Sequence, residues 1–168
     1  GGHRQGQRPG RMNAGRKPAV GRDRFKRPES VLVLVHARIS QVLLLRRVHP
    51  HPFWQSVTGS LRWGETPMQA ACRELVEEIG IDAGDRLRDC GYARRFRILP
   101  GWSTRFPPGT SENLEHVFRL ELARACPVRI DAHEHDAAEW VDMDTAIERT
   151  WSWTNRVALQ ELRALRGC

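Results

Sequence analysis

The chain has no long apolar run. Its longest uninterrupted one, Val31–Val35, is five residues, where a membrane-spanning helix needs about 20. The N-terminal stretch also lacks the apolar core of a secretion signal. Cysteine is scarce and scattered: Cys72, Cys90, Cys126 and Cys168 form no C-x-x-C pair and frame no small disulfide-rich fold. A cytoplasmic protein with free thiols and no membrane partner is the expectation. No G-x-x-x-x-G-K-[ST] loop is present, which removes a P-loop route to phosphate chemistry. Internal repeats and coiled-coil heptads are absent too.

Acidic residues are few in the first 23 positions. Arg4, Arg8, Arg11, Arg16, Lys17 and Arg22 stand there against Asp23 alone, a balance of +5 that leaves +2 of the formal +7 for the remainder. A nucleic-acid patch is therefore not a property of the remainder, and no nucleic-acid partner is expected. The tail is rich in Gly, Arg and Pro, and predicts disorder because it has too little apolar surface to offset its ordering entropy. Residues 24–168 fit one domain able to bury a core and shape a cleft.

Within that domain, "SVLVLVHA" and "QVLLLRRV" read as two strands joined by a tight connection, and "FWQSVTGS" as a third extended segment ending at Gly59. Further strands are predicted around residues 89–99, 115–122, 128–130 and 139–141, with "PGWSTRFPPGTSEN" a long loop between the first two. "TNRVALQELRAL" predicts a last helix with Thr154 as its N-cap and Gly167 near its end. The order suggests an α/β (α+β) fold, a mixed β-sheet covered by helices.

What the chain does have is "GETPMQAACRELVEEIGI", with three glutamates within five positions. Thr66 suits an N-cap, Pro67 the first helical position and Gly80 the left-handed residue past the end, which predicts a helix over 67–79. At 100° steps Met68, Ala71, Cys72, Leu75, Val76 and Ile79 share the side expected to face the core. Glu74 and Glu78 lie one turn apart on the other side with Glu77 beside them, and Ala70 leaves the approach open. Like charges at i,i+4 oppose the helix by a few tenths of a kcal/mol, relieved only in part by Arg73 at i,i+4 from Glu77. Most such charge runs are solvated faces. The sharper reading is a site for Mg²⁺, which takes oxygen ligands and combines a few carboxylates with substrate phosphates.

Spacing favours the metal. Gly59, Glu65, Arg73, Glu74, Leu75, Glu77, Glu78, Gly80 and Ile81 match without a gap the nine specified positions of G-x5-E-x7-R-E-U-x-E-E-x-G-U, with U aliphatic. The segment thereby resembles the signature of the Nudix hydrolases. The resemblance implies a mixed sheet sandwiched between helices, a loop–helix–loop cradle for Mg²⁺ or Mn²⁺, and hydrolysis of a diphosphate linked to another moiety. It implies Glu74 and Glu78 as metal ligands, Arg73 as the residue that holds a glutamate in place, and Gly59 and Gly80 as residues that permit turns.

"KRPESVLVLV", "VLLLRR", "FWQSVTGSLRWGETPMQAACREL", "HEHDAAEW" and "WSWTNR" extend the likeness. Together they resemble the branch of that family formed by the bacterial dihydroneopterin triphosphate pyrophosphatases. That resemblance implies Lys26, Arg47, Thr58 and Ser152 as substrate contacts, Phe96, Arg97, Ile98 and Leu99 as pocket lining, and Glu134 as a third metal-binding glutamate. Without it, His133-Glu134-His135 reads as a surface loop. Glu77 and Glu134 remain alternative general bases. Phe53, Trp54, Trp102 and Trp153 read as core or rim packing, with one of them a candidate stack for a flat ring. The expected partner is a small-molecule pterin triphosphate. The rival readings are a nucleoside triphosphate pyrophosphohydrolase and a non-catalytic module that binds a phosphorylated ligand or RNA.

Overall fold

The computed structural model describes residues 21, 24–38, 40–50 and 52–166. The basic tail, apart from Gly21, lies outside them, as do Gly167 and Cys168. Strands β1 (Glu29–Ala37), β2 (Gln41–Arg47), β3 (Trp54–Gln55) and β4 (Val57–Ser60) come first, followed by helix α1 (Pro67–Ile79). Then come β5 (Leu87–Arg97), β6 (Glu112–Leu122), β7 (His135–Asp142), α2 (Met143–Arg149) and α3 (Trp153–Arg166). All seven strands form one mixed sheet: β1 runs parallel to β6 and antiparallel to β2 and β4, while β2 also pairs with β3 and β7, and β5 with β6.

The unbroken apolar character of β1 follows from its burial on both faces, which a strand flanked by helices on either side requires. Val31, Val33 and Val35 join Leu43, Leu45, Phe118 and Leu120 in a core closed by Leu75 and Ile79 of α1. The alternate residues Leu32 and Leu34 join Val42, Leu44 and Val117 in a second core closed by α2 and α3. No helix among the described residues is long and apolar enough to cross a membrane.

Helix α1 has the predicted bounds and caps. The Thr66 hydroxyl accepts from the Gln69 N–H, the Gln69 side chain accepts from the Thr66 N–H, and Gly80 sits at φ 71°. Its buried face is turned from the expected one, however. Ala70, Ala71, Glu74, Leu75, Glu78 and Ile79 are buried, whereas Met68 and Val76 are 41% and 53% exposed. Periodicity assigns carboxylates to solvent; here β4 lies against the Ala70–Glu74 side and takes them in.

Other expectations change as well. "FWQSVTGS" is two strands broken at Ser56, because the Ser56 N–H donates to the Asn155 side chain instead of a neighbouring strand. Residues 128–130 form no strand, and α2, capped by the Asp142 carboxylate on the Thr145 N–H, was not expected. Helix α3 starts one residue before Thr154, with Ser152 as the residue whose hydroxyl accepts from the Asn155 N–H. The long loop contains a short 3-10 turn at Pro100–Arg105, and β6 begins earlier than predicted, at Glu112.

Candidate active site

The site is built outward from Arg73. Its Nε and Nη2 donate to the two oxygens of Glu65 at 2.8 Å each, Nη1 to Glu74 at 2.8 Å and Glu77 at 3.2 Å, and Nη2 to the Ser60 carbonyl at 3.0 Å. A planar guanidinium supports this forked arrangement as an ammonium could not. Arg73 therefore ties helix α1 to the end of β4. Its main partner is Glu65, to which the spacing alone attached no role, and the Arg73 hydrogen bond is the chief reason the Glu65 carboxyl is held below the usual carboxylate range.

Glu74 and Glu78 project from α1 toward the sheet. Gly59 does not sit at positive φ; it lies inside β4, and a Cβ there would fall 2.0 Å from Glu74 Oε1. That glycine provides close approach, whereas Gly80 does terminate the helix. Burial pushes the Glu74 carboxyl up to about 7 against the opposing field of Arg73. Glu78 is 2% exposed, and burial first, then Glu74 and Glu134, raise it well above the ordinary value. The Thr58 N–H donates to it at 3.3 Å.

Ligand atoms of Glu78, Glu134 and His135 all lie within 4.8 Å of one another. Burying mutually repelling carboxylates is costly without a cation among them. Their hard oxygen donors suit a divalent ion that keeps some water. The residues present thus fit the group that the signature implies. Glu74 stays one helical turn away, one oxygen engaged by Arg73. His135 enters the cluster unforeseen: it begins β7 and is 2% exposed, and burial lowers its imidazole to about 4, which leaves it neutral. On spacing alone His133-Glu134-His135 reads as a surface loop; residues 133 and 134 do lie in a turn, and the strand opens only at His135.

These carboxylates open into a cavity of about 610 Å³, within the usual range of small-molecule sites. Every pocket residue inferred from resemblance lines it: Lys26, Arg47, Thr58, Ser152 and the stretch Phe96, Arg97, Ile98 and Leu99, together with Glu74, Glu78 and Glu134. Lys26 and Arg47 both feel Glu134, and burial lowers the pKa of each. Arg105 joins them on the wall. Glu77 is outside the lining; it is half exposed and accepts from Arg62 at 3.2 Å and Arg73 at 3.2 Å.

The aromatic wall centres on Trp151, which sequence reasoning passed over. Its ring stacks on Phe53 with centroids 5.0 Å apart and meets Trp102 edge-on at 5.7 Å, while the Arg47 guanidinium lies 5.4 Å from the Trp102 centroid. Trp54 instead packs between Arg46 and Arg149, and Trp153 is 52% exposed on the rim. The segments "FWQS" and "WSWTN" are joined directly. The Trp151 N–H donates to the Trp54 carbonyl, its indole N–H to Gln55 at 3.3 Å, and Asn155 bonds both the N–H and the hydroxyl of Ser56. Glu115 and Asn113 of β6 also line the cavity and were likewise missed.

Comparison with known proteins agrees with this geometry. The sequence model of the NUDIX domain matches residues 26–162. The dihydroneopterin triphosphate diphosphatase of Escherichia coli (strain K12) is 40% identical over 141 residues, covering 82% of this chain and 93% of that protein. The protein of the same name from Haemophilus influenzae is 34% identical over 142 residues, covering 82% and 88%. The solved structure of the E. coli dihydroneopterin triphosphate pyrophosphohydrolase superposes with a TM-score of 0.77 at 40% identity, over 82% of this chain and 95% of that one. With its glutamate-bearing helix laid against the end of a mixed sheet, the chain belongs to the Nudix family of hydrolases.

Proposed function

We propose that the chain hydrolyses 7,8-dihydroneopterin triphosphate to the monophosphate and pyrophosphate, with Mg²⁺ held by Glu78, Glu134 and Glu74. One observation carries this reading: a single cavity joins a carboxylate cluster that includes the buried Glu74 and Glu78, five Lys and Arg side chains and a wall of aromatic rings. Those are the three chemistries of a flat ring bearing a triphosphate. The identity to relatives named for this substrate supports the choice of ring.

When bound, Mg²⁺ would neutralise phosphate oxygens, stabilise charge in the transition state and acidify water. Lys26, Arg47 and Arg105 bind the remaining phosphate charge and orient the chain of phosphates. Arg73 is a positioning residue that fixes the Glu74 carboxylate. The oxygen of water forms a bond to phosphorus as the P–O–P bridge breaks, and pyrophosphate or the monophosphate departs with the bridging oxygen. The water proton goes to Glu134, which lines the cavity where Glu77 does not.

The test incubates purified protein and Mg²⁺ with 7,8-dihydroneopterin triphosphate and a panel of nucleoside triphosphates, with products identified by phosphorus NMR. Pyrophosphate, with kcat/KM highest for the pterin compound, is expected. Orthophosphate alone, or a nucleotide outrunning the pterin, overturns the proposal.

A further inference from the structure

Glu115 is a buried carboxyl group that the hydrolysis reaction leaves without a task. It sits on β6, 5% exposed, opposite Ser30 of β1 and Arg94 of β5 in the sheet register. The Thr154 hydroxyl hydrogen-bonds to it, but its Oε1 has no hydrogen-bond partner although it is fully buried and the residue lines the cavity. Arg94, the nearest cation in the register, pairs with Glu161 through Nη2 and lies 4.3 Å from the Tyr92 centroid; its Nη1 is itself buried without a partner, no hydrogen bond links it to Glu115 Oε1, and Arg94 does not line the cavity. A buried acceptor without a donor, on a residue that lines a cavity, is costly unless a ligand supplies one.

The surroundings say what that donor is attached to. Phe96 pairs in register with Asn113, one step along the same sheet face from Glu115, so an aromatic ring flanks the carboxyl group. Trp153 and Thr154 of α3 line the cavity as well, Thr154 in hydrogen-bond contact with Glu115. Asn113 donates to the Ser30 hydroxyl at 2.7 Å, which leaves its own carbonyl oxygen as a second neutral acceptor beside the carboxyl group. Apolar walls with in-plane acceptors suit a flat heterocycle presenting N–H groups at its edge.

We propose that Glu115 determines specificity by accepting two adjacent N–H donors from a 2-amino-4-oxopyrimidine edge of the substrate ring. A carboxylate matches the ring N–H and the exocyclic amino group as a fork, and selects against rings that present an acceptor there. Burial pushes the free Glu115 carboxyl up to about 7, and two incoming donors favour its charged form. Pterins and guanine carry this edge; adenine does not, and hypoxanthine keeps the ring N–H but lacks the amino group. The inference rests on reading the cavity as the site of triphosphate hydrolysis.

The test measures kcat/KM for the wild type and Glu115→Gln, with Mg²⁺, on 7,8-dihydroneopterin triphosphate, GTP, ITP and ATP. GTP and ITP differ only in the amino group that Glu115 would bind. Hydrogen bonds to a charged group predict that the wild type favours GTP over ITP by roughly tenfold or more. In Glu115→Gln, whose amide opposes one of the two donors, the GTP to ITP ratio should fall to about one, with the pterin substrate losing more than ATP. Each ratio is taken within one variant, so a smaller folded fraction cancels. A GTP to ITP ratio unchanged by the substitution, or all four substrates falling by one factor, overturns the inference. Faster turnover of ATP than of the pterin compound would instead sink the proposed function, while the GTP to ITP ratio still reports on Glu115. Fluorescence titration with unphosphorylated neopterin gives a reading free of turnover: its Kd should rise about tenfold or more in Glu115→Gln, and an unchanged Kd counts against the assignment.

Discussion

The carboxylate cluster and the ring-facing wall share one cavity but are specified in different ways. Glu74 and Glu78 come from one helix, and their separation is a property of helical winding. Trp151, Gln55, Phe96, and Asn113 with Glu115 come from four separate stretches, brought together by strand register and by the bonds of Ser56 to Asn155. A short local pattern can set charge for phosphate and metal. Recognition of a ring needs walls that only the closed sheet and its last helix supply.

If this division holds, substitutions in the cluster should remove turnover, and those in the wall should change affinity and choice. The largest effect is expected for Glu78→Gln, which should lower kcat by roughly 10³-fold or more, as should chelation of Mg²⁺ in the wild type. In EDTA the same variant should unfold at a temperature equal to or above that of the wild type, because a costly buried charge is gone. A lower unfolding temperature would mean that the cluster is structural.

Gly59→Ala comes next, since its methyl group would occupy the space of the Glu74 carboxylate. About a 10²-fold loss of kcat with weaker Mg²⁺ activation should follow; near-normal Mg²⁺ dependence would show that Glu74 has little part in the site. Glu134→Gln should cost about 10²-fold in kcat, within the range of general-base loss, and Glu77→Gln less than about tenfold. The reverse order would transfer the base to Glu77. Trp151→Leu should raise KM about tenfold while leaving kcat within about threefold, since it removes a stacked ring and an indole bond from the wall but no carboxylate. A fall in kcat alone would break the comparison.

The smallest effect concerns pH and stability. The folded Glu115 pKa of about 7 lies above the unfolded value near 4.5, so the folded state binds the extra proton between them. That contribution is fully present below about pH 4.5 and is lost as pH rises through about 7. The wild type should therefore lose stability relative to Glu115→Gln across this window, by about 1 kcal/mol per pH unit at most. Burial of His36 lowers its imidazole to about 4, which produces the opposite slope from about pH 4 to 6.5. Urea unfolding of the two proteins at several pH values isolates the Glu115 part, and parallel curves would remove it.

Much of the fold was legible because burial on both faces writes continuous apolar strands, and because Thr66, Pro67 and Gly80 mark helix ends through local hydrogen bonding and φ. Helix α2 was overlooked although Asp142 is an ordinary cap, since seven residues give too little periodicity. The buried side of α1 was misjudged because Met68 and Val76 are apolar yet face away from β4. Glu115 offered no pattern to read: a lone carboxylate in a strand looks like a solvated position until the strands beside it are known.

By itself the sequence determined the bounds of α1, the glutamate spacing, the first paired strands and the family, because each depends on residues a few positions apart or on a gapless motif. Tertiary structure decided that Gly59 makes room for Glu74, that His135 joins Glu78 and Glu134, and that Glu115 lines the cavity. Those three depend on which strand lies beside which, and contacts between distant segments are set by the packing of the whole sheet against its helices.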